Sequence, residues 1–309
     1  MEPTMDEKEQ AVLKERFQQA IDQFIAKIKD DVNVIAVIVG GSMAYDLIWE
    51  KSDVDMTVIV RDQMLKGDSL SIVEDGITLN VYVATRSSFK RWAESTIGGS
   101  FLQSYLAKGK IVYSTDESLY DYYEDIKQIG EDDMALTALR LAGELIGTMH
   151  KAQKWLTVRR DAMYAQYFLL MAAELIAHME LSIRGIPTSR SAIQKATAFN
   201  PAIMQAFYHD LMAHLLTETE LAERIHRLDG YIEERMALFQ KPVIEYLANG
   251  EIKTTATIAR HLRLDSHFAI EVLNYLAEKG VIDKVSQLIK LTPKSRLSVE
   301  EIGFMYIPH

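Results

Sequence analysis

The chain opens on a helical pattern. Within residues 6–30, "DEKEQAVLKERFQQAIDQFIAKIKD", the apolar side chains Val12, Phe17, Ile21, Phe24, Ile25 and Ile28 recur at helical spacing, which predicts an amphipathic helix with a polar outer face. The period then changes. "NVIAVIVGG" is a short unbroken apolar run, the pattern of a strand covered on both faces. "MAYDLIWEK" predicts a short helix; "DVDMTVIV", "GITLNVYVA" and "GKIVYS" predict three more strands, with a helix over "FKRWAESTIGGSFLQSYLAK" between the last two. Strands and helices interleaved in this way form an α/β layer.

From about Glu131 the strand pattern stops and long helical periods take over. "MALTALRLAGELIGTMHKAQKWLTV" predicts one helix, and "AMYAQYFLLMAAELIAHMELSIRG" a second that ends at Gly185 and Pro187. Asn200 before Pro201 reads as an N-cap with proline in the first turn, and Thr217 with Glu220 matches a capping box. Beyond residue 239 the order changes once more: a helix ending at Asn249-Gly250, a helix over about 255–262, another over about 266–279, then the β-prone runs "VIDKV" and "QLIKLT". Two closely spaced helices followed by a hairpin is the winged-helix order. The expected division is 1–125 for the α/β domain, 126–238 for an all-α domain and 239–309 for a winged helix.

Composition narrows the chemistry. The 309 residues include no cysteine, which excludes disulfides, thiolate metal sites and cysteine nucleophiles. Any metal must be held by oxygen or histidine. A formal net charge of -10 disfavours nonspecific nucleic-acid or anionic-membrane binding, so phosphate ligands would need a bridging cation. The acidic start "MEPTMDEKEQ" lacks the pattern of a secretory signal and no apolar run is long enough to span a bilayer, so the expected location is the cytoplasm. Residues 251–309 carry eight Lys/Arg against seven Asp/Glu, with Asp265, Glu271 and Glu278 on the third predicted helix; that favours a scaffold or homodimer role over DNA binding.

The chemistry-bearing stretch is "VIVGGSMAYDLIWEKSDVDMTVIV", residues 37–60. Side chains at i and i+2 of a strand share a face, so Asp53 and Asp55 project together at the mouth of a strand that is otherwise apolar. Two such carboxylates suit Mg²⁺ or Mn²⁺. Gly40 and Gly41 allow close backbone approach to a ligand, and Ser42 at the start of a helix offers donors to phosphate.

Gly-Ser, ten intervening residues and Asp-x-Asp on the neighbouring strand resemble the signature of the nucleotidyltransferase superfamily that includes DNA polymerase β and the aminoglycoside nucleotidyltransferases; here the motif is Ser42, Met43 to Ser52, and Asp53-Val54-Asp55. The resemblance covers residues 30 to about 115, and the following helical segment is similar to the accessory domain of the antibiotic-modifying members. It implies an α/β nucleotidyltransferase domain followed by a helical domain, with Asp53 and Asp55 bridging two metal ions about 3.5–4 Å apart. Attack on the α-phosphorus of a nucleoside triphosphate would then release pyrophosphate. The chain departs from the family pattern at Tyr45-Asp46, where relatives carry a small basic-plus-glycine pair. It departs again at Asn80, where the resemblance places a third carboxylate: an amide can ligate a metal but carries no charge and takes no proton. Glu74, Asp75, Glu94 and Asp161 are the candidates to compensate.

Lys151 and Lys154 share a helix face and either grip a triphosphate, as helical-domain lysines do in relatives, or form a solvated basic face. Trp155 and Tyr164 either stack a base or pack, and His178 fills space. The expected function is an Mg²⁺-dependent nucleotidyltransferase moving a nucleoside monophosphate, AMP from ATP, to a hydroxyl of a small molecule. The catalytic set is Asp53, Asp55 and Asn80, and the nucleotide-binding set is Gly40, Gly41, Ser42, Lys151 and Lys154. The alternative is a noncatalytic nucleotide-sensing regulator that uses the winged helix on DNA.

Overall fold

The computed structural model describes residues 7–41, 48–65, 67–96, 105, 108–127, 131–187 and 191–308. The chain divides into two compact units, Met1–Ile129 and Gly130–His309.

The first unit is a five-stranded mixed sheet of order β3-β4-β2-β1-β5. Its strands are β1 (Val34–Val39), β2 (Val54–Val60), β3 (Ser69–Glu74), β4 (Ile77–Thr85) and β5 (Lys110–Ser114). The unbroken apolar run of β1 is buried at all six positions because both faces of the sheet are covered. Helix α1 (Glu7–Ile28) lays Leu13, Phe17, Ile21 and Phe24 on one face. Val12, placed on the inner face by the sequence pattern, is exposed, and its neighbour Leu13 is buried instead. Helices α2 (Arg86–Thr96) and α3 (Ser118–Lys127) supply Phe89, Ala93, Leu119 and Tyr123 to the other face. β2 pairs antiparallel with β1 and parallel with β4, so the start of β2 lies beside the first half of β4, Val54 opposite Leu79. The predicted helix over "MAYDLIWEK" falls mostly outside the described residues, as does the second half of the one over "FKRWAESTIGGSFLQSYLAK".

The second unit is helical and closes on a small antiparallel sheet. Helix α4 (Glu131–Thr157) and α5 (Ala162–Ser182) are long and pack together around Leu139, Leu145, Ile146, Leu169 and Ile176. Helix α6 (Ala192–Phe199) follows, then a helical stretch that starts at Pro201 under the Asn200 cap, where the Asn200 side chain accepts from the Ile203 amide. It contains a π-helical turn at Gln205–His209. Helix α7 (Glu218–Glu233) begins with both bonds of the Thr217/Glu220 capping box in place, and α8 (Met236–Leu247) follows.

The last segment runs β6 (Lys253–Thr254), α9 (Thr255–His261), α10 (Ser266–Glu278), β7 (Asp283–Lys290) and β8 (Ser298–Met305), with sheet order β6-β8-β7. The hairpin differs from the one the sequence suggests. "VIDKV" and "QLIKLT" contribute to one continuous strand, β7, and its partner is "SVEEIGFM", whose exposed, acidic first half hides its strand character. Among the described residues, no helix is long and apolar enough to cross a membrane.

Candidate functional site

The end of β1 and the start of β2 are tied together by the β1/β2 register and by the Gly40 amide, which donates to the Asp55 carbonyl at 2.9 Å. Gly41 sits at φ +63°, a conformation that favours glycine. A Cβ there would overlap the Asp55 carboxylate, and one at Gly40 would run into the Tyr105 ring. Both glycines are therefore required by close approach: the turn backbone lies directly against Asp55 on one side and an aromatic wall on the other. Ser42, Tyr45 and Asp46 lie outside the described residues.

Val54 and Met56 point into the core at 0% and 1% exposure, which by alternation turns Asp53 and Asp55 outward. Asp53 is exposed and Asp55 half-buried. A turn in which the Ser52 amide donates to the Trp49 carbonyl at 2.9 Å, and the Trp49 amide to Ser52 Oγ at 3.1 Å, sets the chain's approach to Asp53.

The parallel register of β2 and β4 pairs Asp55 with Asn80. Asn80 Nδ2 donates to Asp53 Oδ2 at 2.5 Å, while its carbonyl oxygen accepts from Ser71 Oγ at 3.3 Å. This orientation satisfies both ends of the amide. The reverse would set the amide oxygen against a carboxylate. Asn80 thus touches the first aspartate and sets an N–H donor, not a further anionic ligand, against its carboxylate.

Three of the four carboxylates named as compensating candidates are engaged elsewhere. Glu74 is buried and both its oxygens accept from Lys27 Nζ at 2.7 Å. Asp75 lies in the β3–β4 turn and accepts from Gln23. Asp161 belongs to the second unit, where its side chain caps α5 by accepting from the Tyr164 amide at 2.9 Å. The Glu94 side chain is outside the described residues. Among the described residues there is no group of three or more His, Cys, Asp or Glu arranged to hold a metal.

The donor set still fits one hard divalent ion. Mg²⁺ commonly takes one or two protein carboxylates and completes its octahedron with water and phosphate oxygens, and Asp53 and Asp55 on one outward face offer that. A third anionic ligand for a second ion is not present at Asn80.

Tyr105 is a site residue that sequence reasoning did not select. Its ring walls Gly40, and its hydroxyl meets Thr57 Oγ1 at 3.1 Å and the Asp55 carbonyl at 3.5 Å. Burial pushes the phenol well above its ordinary range despite the Thr57 bond, with the Asp55 charge pushing the same way, so it stays protonated. No local signal distinguishes it from other helical tyrosines; only the apposition to Gly40 does. Lys151 and Lys154 are exposed on the last turns of α4 in the second unit.

Comparison with solved structures identifies the fold. A nucleotidyltransferase-like protein from Exiguobacterium sibiricum 255-15 superposes with TM-score 0.67 and 14% identity over 94% of this chain and 99% of that one. The chain therefore has a nucleotidyltransferase-like fold. The spectinomycin adenyltransferase of Enterococcus faecialis, solved with ATP and spectinomycin, aligns with 13% identity over 71% of this chain and 99% of that one, at TM-score 0.33, a value that does not establish a shared fold. No protein-family model matches the sequence, and no curated protein matches it.

Proposed function

We propose that this chain is a divalent-metal-dependent nucleotidyltransferase that moves a nucleoside monophosphate, AMP from ATP, onto a hydroxyl of a small molecule. The observation that carries the reading is the apposition of the Gly40-Gly41 turn to Asp55, with Asp53 beside it, on a nucleotidyltransferase-like sheet. Asp53 and Asp55 would hold Mg²⁺ or Mn²⁺. When bound, that ion would neutralise triphosphate charge and acidify the acceptor hydroxyl. Gly40, Gly41 and Ser42 offer backbone and hydroxyl donors to phosphate, Lys151 and Lys154 offer positive charge to it, and Asn80 orients Asp53. In the overall reaction the acceptor hydroxyl gives up its proton to solvent, its oxygen forms a bond to the α-phosphorus, the bond from that phosphorus to the α–β bridging oxygen breaks, and pyrophosphate leaves. The division into 1–125, 126–238 and 239–309, with β6 to β8 and their two helices as a winged helix, belongs to the same proposal.

The test is incubation with labelled nucleoside triphosphates, Mg²⁺ or Mn²⁺ and a library of hydroxyl-bearing metabolites and antibiotics. Pyrophosphate release and a nucleoside monophosphate mass gain on one acceptor, both lost in Asp53→Asn, support it. Absence of turnover with every nucleotide and either ion refutes it.

One observation favours a second reading. With an amide rather than a carboxylate against Asp53, the described residues of the site offer charge for one cation, which suits a regulator that senses a nucleotide without transferring it and acts through the C-terminal segment on DNA. Tight nucleotide binding without turnover, coupled to sequence-specific DNA binding, would select it.

A further inference from the structure

Helix α10 is enclosed within the second unit. Gly143 and Gly147 on α4 let it approach closely: a Cβ at Gly143 would overlap the Phe268 carbonyl, and one at Gly147 would touch the Glu271 side chain. His150 on the same helix meets the Glu271 carboxylate through Nδ1 at 2.8 Å. From α7, Asp229 accepts from the Tyr275 hydroxyl at 2.9 Å, and Glu233 pairs with Lys279 at 2.7 Å. A helix fixed in this way from its first turn to its end would have to be stripped from α4 and α7 before it could lie in a major groove. The surface that the C-terminal segment leaves open is the β7–β8 hairpin.

The end of that hairpin is both ordered and apolar. In the turn Thr292-Pro293-Lys294-Ser295 the Ser295 amide donates to the Thr292 carbonyl, and the Thr292 amide donates to Ser295 Oγ, both at 3.0 Å. Lys290 and Ser298 form the last pair of the ladder, so Leu291 and Leu297 leave it side by side, 74% and 83% exposed. Strand alternation places them on the face of the paired Ile289 and Val299, and places Leu288, 74% exposed, on the opposite face. The stretch from Lys284 to Val299 carries Lys284, Lys290, Lys294 and Arg296 and no acid, in a protein of formal net charge -10. Among the described residues, no ion pair engages Lys290, Lys294 or Arg296.

We propose that the hairpin tip docks the protein on an anionic phospholipid surface, with Leu288, Leu291 and Leu297 entering the boundary between headgroups and acyl chains and Lys290, Lys294 and Arg296 meeting the headgroups. Exposed leucines grouped in this way mark an interaction surface. Because they lie on both faces of the hairpin, the fitting partner is a medium that surrounds the tip; a flat protein surface would cover one face and leave the other wet. A strand rise of about 3.4 Å per residue puts Leu288 some ~10 Å behind Leu291, within the depth of about 5–10 Å at which interfacial segments bury their apolar side chains. The net negative charge of the chain does not cancel the tip, since salt screens charges farther than about 8 Å away. A nucleic-acid strand would leave the leucines unused, because they neither stack on bases nor donate to them. A second copy docked two-fold on the same tip would set its cations against these, like charge against like.

The test is sedimentation of the full chain with vesicles of phosphatidylcholine alone and of phosphatidylcholine with phosphatidylglycerol. The parent is expected to bind the anionic vesicles, to be released as salt is raised, and to ignore the neutral ones. Lys290→Gln/Lys294→Gln/Arg296→Gln should weaken binding about fivefold for each charge removed. Leu291→Ser/Leu297→Ser should weaken it about tenfold or more while keeping the parent's salt dependence. As a readout that does not depend on a loss, Leu291→Trp should gain emission that spin-labelled acyl chains quench and that the parent lacks. Failure of the parent to bind anionic vesicles at low salt, parental binding by both the leucine and the cation variants, or no added quenching in Leu291→Trp would each overturn the proposal. Binding of duplex DNA that the cation variant loses and the leucine variant keeps would assign the tip to nucleic acid instead, and a dimer that Leu291→Ser/Leu297→Ser dissolves would assign it to a second copy; either result also overturns it.

Discussion

Asn80→Asp is the sharpest perturbation of the first unit. The substitution exchanges an N–H donor, now 2.5 Å from Asp53 Oδ2, for a carboxylate oxygen at similar range. Two unit charges about 3 Å apart repel by ~5 kcal/mol at an effective dielectric of 20 and by ~1.4 kcal/mol in bulk water. Asp53 is exposed, so the lower end applies, about 2 kcal/mol. Losing a hydrogen bond to a charged acceptor adds about 1 kcal/mol at such a solvated place. The metal-free variant should then be about 3 kcal/mol less stable, a fall of roughly 10 °C in Tm for a unit of this size. A third anion also draws a cation more strongly, and a ligand that binds only the folded state stabilises it by RT ln(1 + [L]/Kd). Raising Mg²⁺ from zero to ~10 mM should therefore lift the variant's Tm several degrees more than the parent's. Calorimetric melting in EDTA and in Mg²⁺ measures both terms. If the variant melts with the parent in both conditions, residue 80 has no electrostatic link to Asp53 and the one-cation account of the site fails.

ATP binding by titration calorimetry should require Mg²⁺ or Mn²⁺ and fall sharply in EDTA or in Asp53→Asn, whereas Ser42→Ala should only weaken it; equal affinity with and without EDTA removes the metal from the account. Gly41→Ala combines a left-handed φ with overlap of the Asp55 carboxylate, and is expected to cost about 1–2 kcal/mol of stability and to weaken Mg²⁺·ATP binding, both visible in melting and titration. In the second unit Glu180 is fully buried between Arg184 at 2.9 Å, Arg235 at 2.7 Å and the Tyr231 hydroxyl at 2.9 Å, so Glu180→Gln, which takes the buried negative charge from between two guanidinium groups, should lower stability by about 3 kcal/mol in denaturant melts. Burial alone would raise the Glu180 pKa, but the Tyr231 bond and the two arginines outweigh it and hold it below its ordinary value; its stabilising contribution is complete above the unfolded value and is lost as pH falls through the folded one, so the stability gap between parent and variant should narrow as pH falls through that range. The C-terminal segment, with near-balanced charge, should bind genomic DNA fragments weakly at ~150 mM salt by fluorescence anisotropy; nanomolar sequence-specific binding would support the regulator instead.

Local chemistry was readable along the chain wherever a residue acts on its neighbours. The apolar run at 34–39 announces a strand covered on both sides, and Asn200-Pro201 and Thr217-x-x-Glu220 announce helix starts, because capping bonds and burial periods close within a few residues. The outward pair Asp53 and Asp55 follows from the two-residue period of β2 in the same way. Strand β3 escapes this logic: as an edge strand exposed at four of six positions it has no apolar period to read, and it forms because β4 offers it a hydrogen-bonded edge. The β8 half of the C-terminal hairpin escapes it for the same reason.

What the tertiary structure alone decided is which distant groups meet. The parallel register that puts Asn80 against Asp53, the Tyr105 ring over Gly40 and the seating of α10 against Gly143 all depend on contacts between separate elements. The fate of Glu74 makes the point most simply: in sequence it is a free carboxylate near Asn80, and in the fold it is closed off by Lys27 from a helix 47 residues away. A chain's local preferences set the period of each element, but pairing and ion partners are chosen by packing, where the cost of burying a charge is met by whichever opposite charge the fold brings within reach.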